Sequence, residues 1–125
     1  MDENIWNVDA DKYTDDNIDL LLQCANSIAD KLEKANGPTD TLITKIMLGV
    51  FGNVPAFDDN IRKGFDCHSF GKKNLKMIRK FYDEHSTQID AKIIYTFDFN
   101  GTETKRRYTK AKIIDMIGFI KGQKA

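Results

Sequence analysis

Apolar positions along this chain recur first at three- and four-residue spacing and only near the C-terminus at two, so the pattern predicts helices followed by a hairpin. Ile18, Leu21, Leu22, Ala25, Ile28, Ala29 and Leu32 mark a helix from about Thr14, with Asp15 and Asp16 where negative charge favours a helix N-terminus and Asn36-Gly37-Pro38 as its stop. Thr39 or Asp40 caps a second helix, whose Leu42, Ile43, Ile46, Met47, Val50 and Phe51 cover so wide an arc that it is expected at the centre of the fold. Gly52-Asn53 ends it, and Pro55 forces an extended or turn entry into a short helix starting near Asp58. Gly49 and Gly52 are read as sites of close helix packing.

Residues 66–71 read as a loop, after which Leu75, Ile78, Phe81 and Tyr82 restore the helical period as far as His85. Ile93, Tyr95, Phe97 and Phe99 then alternate with Lys92, Ile94, Thr96 and Asp98, and Asn100-Gly101 separates them from a second run, 102–108. The pair signals a hairpin with a type I′ turn, in which Asp98 would face Glu103. Thr109 caps a last helix that is apolar on more than one face and is therefore expected to be buried. Together these elements predict one α+β domain over residues 1–125, mostly α: a compact helical body, a hairpin packed on the helices, and a final buried helix. Residues 1–13 form an acidic lead with Ile5, Trp6, Val8 and Tyr13 as anchors. The expected core includes Ile46, Met47, Val50, Phe51, Ile78, Phe81, Ile114 and Ile117.

The chain has 125 residues, 41% hydrophobic and 30% charged, a globular balance with no apolar run long enough to span a membrane. Its acidic start is unlike a signal peptide, and its two cysteines, Cys24 and Cys67, read as reduced thiols, so a cytoplasmic location is expected. Abundant Lys, Ile and Asn with scarce Arg suggest an AT-rich genome, that of a bacterium or one of its mobile elements. The net charge of zero conceals an asymmetry: twelve acids and four bases lie in residues 1–60, seven acids and fifteen bases in 61–125. Such polarity steers charged partners unless the halves fold against each other.

Several constellations bear on chemistry. Asp58 and Asp59 open a helix, where one carboxylate caps and the other reading is a partly desolvated acid beside Pro55 that takes a proton. Phe51-Gly52, Pro55, Ala56, Phe57-Asp58 and Ile61-Arg62 resemble the second half of the helix-hairpin-helix DNA glycosylase motif, and the resemblance implies Asp58 as the catalytic acid. Gly37-Pro38-Thr39-Asp40-Thr41 departs from that family, lacking its glycine-spaced turn and the lysine of its bifunctional members. The stretch from Thr44 to Asp58, with Tyr108 to Met116, is also similar to small bacterial proteins of unassigned function, which implies a shared fold and no particular activity.

No metal is expected, because Asp66, Cys67, His68 and His85 lack the paired spacing of a zinc site, and Asp9, Asp11 and Asp15 lack the glycine and closing glutamate of a calcium loop. No cofactor is expected either. The basic residues Lys72, Lys76, Arg79, Lys105, Arg106 and Arg107, with Tyr108 for stacking and Lys110 and Lys112 nearby, are the candidate binding set. The expectation is a small binding module whose partner is a protein, directed at a host or defence component if a mobile element encodes it. The alternative is a nucleic-acid-binding domain on the basic half, and the third reading is an enzyme with Asp58 as acid or base.

Overall fold

The computed structural model describes residues 3–32 and 39–124, so the helix stop expected at 36–38 lies outside the described residues. Two 3-10 turns, Glu3–Asn7 and Ala10–Lys12, precede α1 (Asp15–Lys31), α2 (Asp40–Val50), α3 (Asp59–Phe65), α4 (Lys72–Asp90), β1 (Tyr95–Phe97), β2 (Glu103–Arg107) and α5 (Lys110–Lys124). This is the expected α+β, mostly helical architecture. Side-chain caps start α1, α2, α3 and α5: Thr14, Thr39, Asp58 and Thr109 accept the N–H groups of Asn17, Leu42, Ile61 and Lys112.

The main core joins Ile18 and Leu21 of α1, Met47 of α2, Leu75 and Ile78 of α4, and Ala111 and Ile114 of α5. Ile5, Val8, Ala10 and Tyr13 from the N-terminal turns are buried in it, while Trp6 stays exposed with its ring edge-on to Phe51 at 4.4 Å. Phe57, Ile61 and Cys67 form a smaller core beside it.

Helices α3 and α5 approach each other closely. A methyl group built on Gly122 would lie 2.3 Å from the Asn60 carbonyl oxygen, one on Gly64 would lie 2.7 Å from that of Gly118, and one on Gly118 would strike the Ile61 side chain at 2.2 Å. Three glycines therefore let two backbones touch. The packing role expected of Gly49 is corrected, since it has open space around it, whereas Gly52 ends α2 with φ +66° and lies closely against Thr109.

Four further expectations change. Helix α2 is not central, since only Ile43, Thr44 and Met47 are buried, Ile46 and Phe51 are half-covered, and Val50 is 54% exposed. The width of its apolar arc overstated burial because, among the described residues, neighbours cover one side only. Helix α5 likewise buries Ala111, Ile113, Ile114, Gly118 and Gly122, half-covers Ile117, and turns Met116, Phe119 and Ile120 outward. Helix α4 does not end at His85. It kinks there (φ −125°, ψ 17°), the imidazole stacking on the half-covered Phe81 at 4.3 Å, and runs on to Asp90 because Ile89 regains the core.

The hairpin forms, with a different turn. Asp66 is the only non-glycine residue with positive φ among the described residues, which excludes the type I′ turn, since that needs φ > 0 at Asn100 as well. Instead the Gly101 N–H donates to the Asp98 carbonyl at 3.0 Å, and Gly101 itself takes φ +76°. The Asp98 carboxylate accepts the N–H groups of Asn100 (2.9 Å) and Thr102 (3.0 Å), so it folds into the turn rather than opposing Glu103, whose partner is Phe97. Pairing then jumps from Phe97↔Glu103 to Tyr95↔Arg107, leaving two extra residues as a bulge in β2. The hairpin projects instead of packing down: in both strands every residue is exposed except Thr96 and Thr104, which hydrogen-bond each other at 2.6 Å.

Candidate binding groove at the hairpin base

Residues 52–58, between α2 and α3, organise the molecule. Left-handed Gly52 closes α2 by donating to the carbonyls of Met47 and Leu48. Val54 through Phe57 follow, all buried, and the loop is held almost entirely by side chains from elsewhere. The Tyr13 hydroxyl donates to the Asn53 carbonyl (2.6 Å), Thr109 to that of Gly52, and Thr41 to that of Phe57 (2.9 Å). Thr44, fully buried, accepts the Phe57 N–H at 2.7 Å and donates to the Asp40 carbonyl at 2.6 Å. Asp115 accepts the Ala56 N–H at 3.0 Å. Asn53 is the exception: its side chain is fully buried, and neither amide atom has a hydrogen-bond partner among the described residues.

Beside this loop lies a groove of about 350 Å³. The end of α2 supplies Lys45, Leu48, Val50 and Phe51, the hairpin base supplies Arg106, Arg107 and Tyr108, and the start of α5 supplies Thr109 and Lys112. The Gly52–Thr109 contact fixes how these walls meet, because a methyl group on Gly52 would lie 2.9 Å from the Thr109 methyl. Arg106 and Arg107 are sequence neighbours that a regular strand would send to opposite faces; in the bulged β2 both line the groove.

Four cations and no carboxylate line it. Asp115 stands beside it, with its Oδ2 3.9 Å from Lys112 Nζ. Burial pushes the Asp115 carboxyl above its usual range, a shift opposed by the Ala56 N–H and then by Lys112. Lys112 also sits over the Tyr108 ring, 5.8 Å from its centre. The first N–H groups of α5 are already occupied: Asp9 accepts those of Lys110 (2.9 Å) and Ala111 (2.8 Å), and the Thr109 hydroxyl accepts that of Lys112 (3.1 Å). Burial likewise raises the Asp9 carboxyl, with these backbone donors in opposition. Any anion in the groove would therefore meet side-chain cations rather than a free helix end.

The structure splits the candidate basic set. Arg106, Arg107 and Tyr108 come together here, whereas Lys105 lines a shallow hollow with Phe97 and Phe99 farther along the hairpin. Lys72 and Lys76 lie elsewhere, paired with Asp15 at 3.8 and 3.2 Å, and Arg79 pairs with Asp83 at 3.0 Å. One acid of the N-terminal half, Asp15 of α1, thus meets two bases of the C-terminal half on α4. Lys45 is the groove cation not singled out from the sequence, although its signal was present: it is the only cation in α2. Asp58 caps α3, accepting the Ile61 N–H at 3.0 Å.

Cys67, His68 and His85 do not converge with Asp66. The Cys67 thiol points to the Ile61 carbonyl at 3.9 Å, His68 is exposed, and the His85 ring meets the Phe81 carbonyl within its own helix. No helix among the described residues is long and apolar enough to cross a membrane. The chain matches no protein-family model, no curated protein and no solved structure.

Proposed function

We propose that the protein is a binding module that engages a protein partner through its projecting hairpin. The observation that carries this reading is the exposure of Ile93, Tyr95, Phe97 and Phe99, at 56, 38, 63 and 110% respectively. Tyr95 and Phe97 alternate along β1 and so share a face, with Ile93 two residues before the strand. A ribbon with aromatic side chains in water, two open strand edges and arginines alongside has the composition that protein interfaces concentrate at their centres. Lys105, Arg106 and Arg107 on β2 favour an acidic partner surface.

A test places a photo-reactive phenylalanine analogue at Phe97 and exposes nuclease-treated lysate of the source cell to it. The expected product is a discrete protein adduct that disappears when Tyr95 and Phe99 are replaced by Ser, with the melting temperature unchanged. Adducts that form only before nuclease treatment would transfer the function to nucleic-acid binding. That second reading draws on the cationic lining of the groove.

A further inference from the structure

The geometry points to the groove at the hairpin base as a binding site for a small phosphate ester carrying an apolar or aromatic body, a site that shares Arg106 and Arg107 with the hairpin but not its exposed aromatic residues. Lys45 and Arg106 make no ion pair among the described residues, although both reach the same groove. Cations lining one groove without ion-pair partners repel each other, and an anion bound in that groove relieves the repulsion. Lys112 adds a third charge, shared with Asp115 at 3.9 Å. Arg106 offers the planar donor fork that suits a phosphate, and lysine acts as a point charge beside it.

The other wall of the groove is apolar, formed by Leu48, Val50 and Phe51. Val50 is 54% exposed, so part of this wall remains open to a ligand's body. A volume of about 350 Å³ falls at the lower end of the range for small-molecule sites, enough for a compact organic phosphate.

A nucleic-acid strand fits less well, because its backbone needs a continuous basic track. Beyond the groove that track is interrupted: Lys72 and Lys76 are engaged by Asp15, Arg79 by Asp83, and Lys110 by Asp90 at 3.4 Å. Along the hairpin the cationic surface continues through Lys105, beside Arg106, and Lys92, beside Arg107, but stops short of α1 and α4, where the lysines and Arg79 are paired.

Calorimetric titration with ADP, inorganic pyrophosphate and an eight-residue thymidine oligonucleotide tests this. ADP is expected to bind more tightly than pyrophosphate, since only ADP has a body to place on the apolar wall. Arg106→Ala and Lys45→Ala should each weaken ADP roughly tenfold, the scale of one lost charge-assisted contact. Asp115→Asn should tighten it by freeing Lys112, and Arg79→Ala, outside the groove, should leave it unchanged. All four positions are at least partly solvent-exposed, and circular dichroism of each variant verifies folding. No heat with ADP or pyrophosphate at millimolar concentration would overturn the proposal, as would affinities indifferent to Arg106 and Lys45. Tighter binding of the oligonucleotide than of ADP would replace the small ligand with a polymer. Loss of the hairpin's protein adduct affects none of these readings.

Discussion

Gly122→Ala is the sharpest test of how α3 and α5 meet. The added methyl carbon would fall 2.3 Å from the Asn60 carbonyl oxygen, 2.6 Å from its Cα and 2.7 Å from its carbonyl carbon. Carbon atoms rest at about 3.5–4.0 Å, so the helices must separate by roughly 1 Å locally. Backbone cannot swing aside as a side-chain tip does, and overpacking of this kind costs about 1–3 kcal/mol. Alanine's better helix propensity returns at most about 1 kcal/mol, and less this close to the C-terminus of α5. The expected net loss is about 1–2 kcal/mol. Gly49→Ala is the matched control: Gly49 also lies within a helix, but nothing stands within 4 Å of its added methyl. It should gain about 0.5–1 kcal/mol. Urea unfolding measured for both variants alongside the wild type gives the two differences directly. Equal or greater stability of Gly122→Ala would refute the close contact, showing that the last turn of α5 yields freely.

Thr44→Val should lose about 1–3 kcal/mol in the same assay, because it leaves the buried Phe57 N–H without its acceptor at 2.7 Å, and Thr44→Ser should recover most of the loss. Asp58→Asn should be nearly neutral while Asp58→Ala costs about 0.5–2 kcal/mol, as the contact to Ile61 N–H is a helix cap; a large loss in Asn would mean the charge itself matters. Asn53→Leu should unfold at a higher urea concentration than the wild type, since it removes two buried polar atoms without partners; destabilisation would mean that the amide is satisfied in solution. For Asp115 the folded carboxyl titrates above its ordinary 3.8, so the folded state holds more protons than the unfolded one between those values, and its charge weighs against folding at neutral pH. Asp115→Asn should therefore be stabilising at pH 7, with the gain fading as pH falls through the raised value toward 3.8; a gain independent of pH would refute burial as the cause.

The existence and order of the elements could be read from the sequence because they rest on neighbours a few residues apart. Spacing of Ile18, Leu21 and Ala25 sets a helix face, Thr14 and Asp58 cap their own next turns, and Gly101 permits the reversal between β1 and β2. Even there the local turn had two solutions, and the Asp98 carboxylate, which bonds two N–H groups within it, is associated with the one that Asn100-Gly101 alone did not indicate. Which apolar faces would be covered was decided by the tertiary structure. Periodicity shows that Val50, Phe119 and Ile120 are apolar but says nothing of whether another element reaches them, and the described neighbours leave them exposed. The same distinction governs the candidate site. Arg106 and Arg107 were visible as charges, but Lys45 joins them from 61 positions earlier in numbering only because Gly52 and Thr109 bring the end of α2 against the start of α5, while Lys72, Lys76 and Arg79 are drawn to Asp15 and Asp83. Charge is a property of each residue; the field at a groove depends on which charges the fold brings together and which it neutralises.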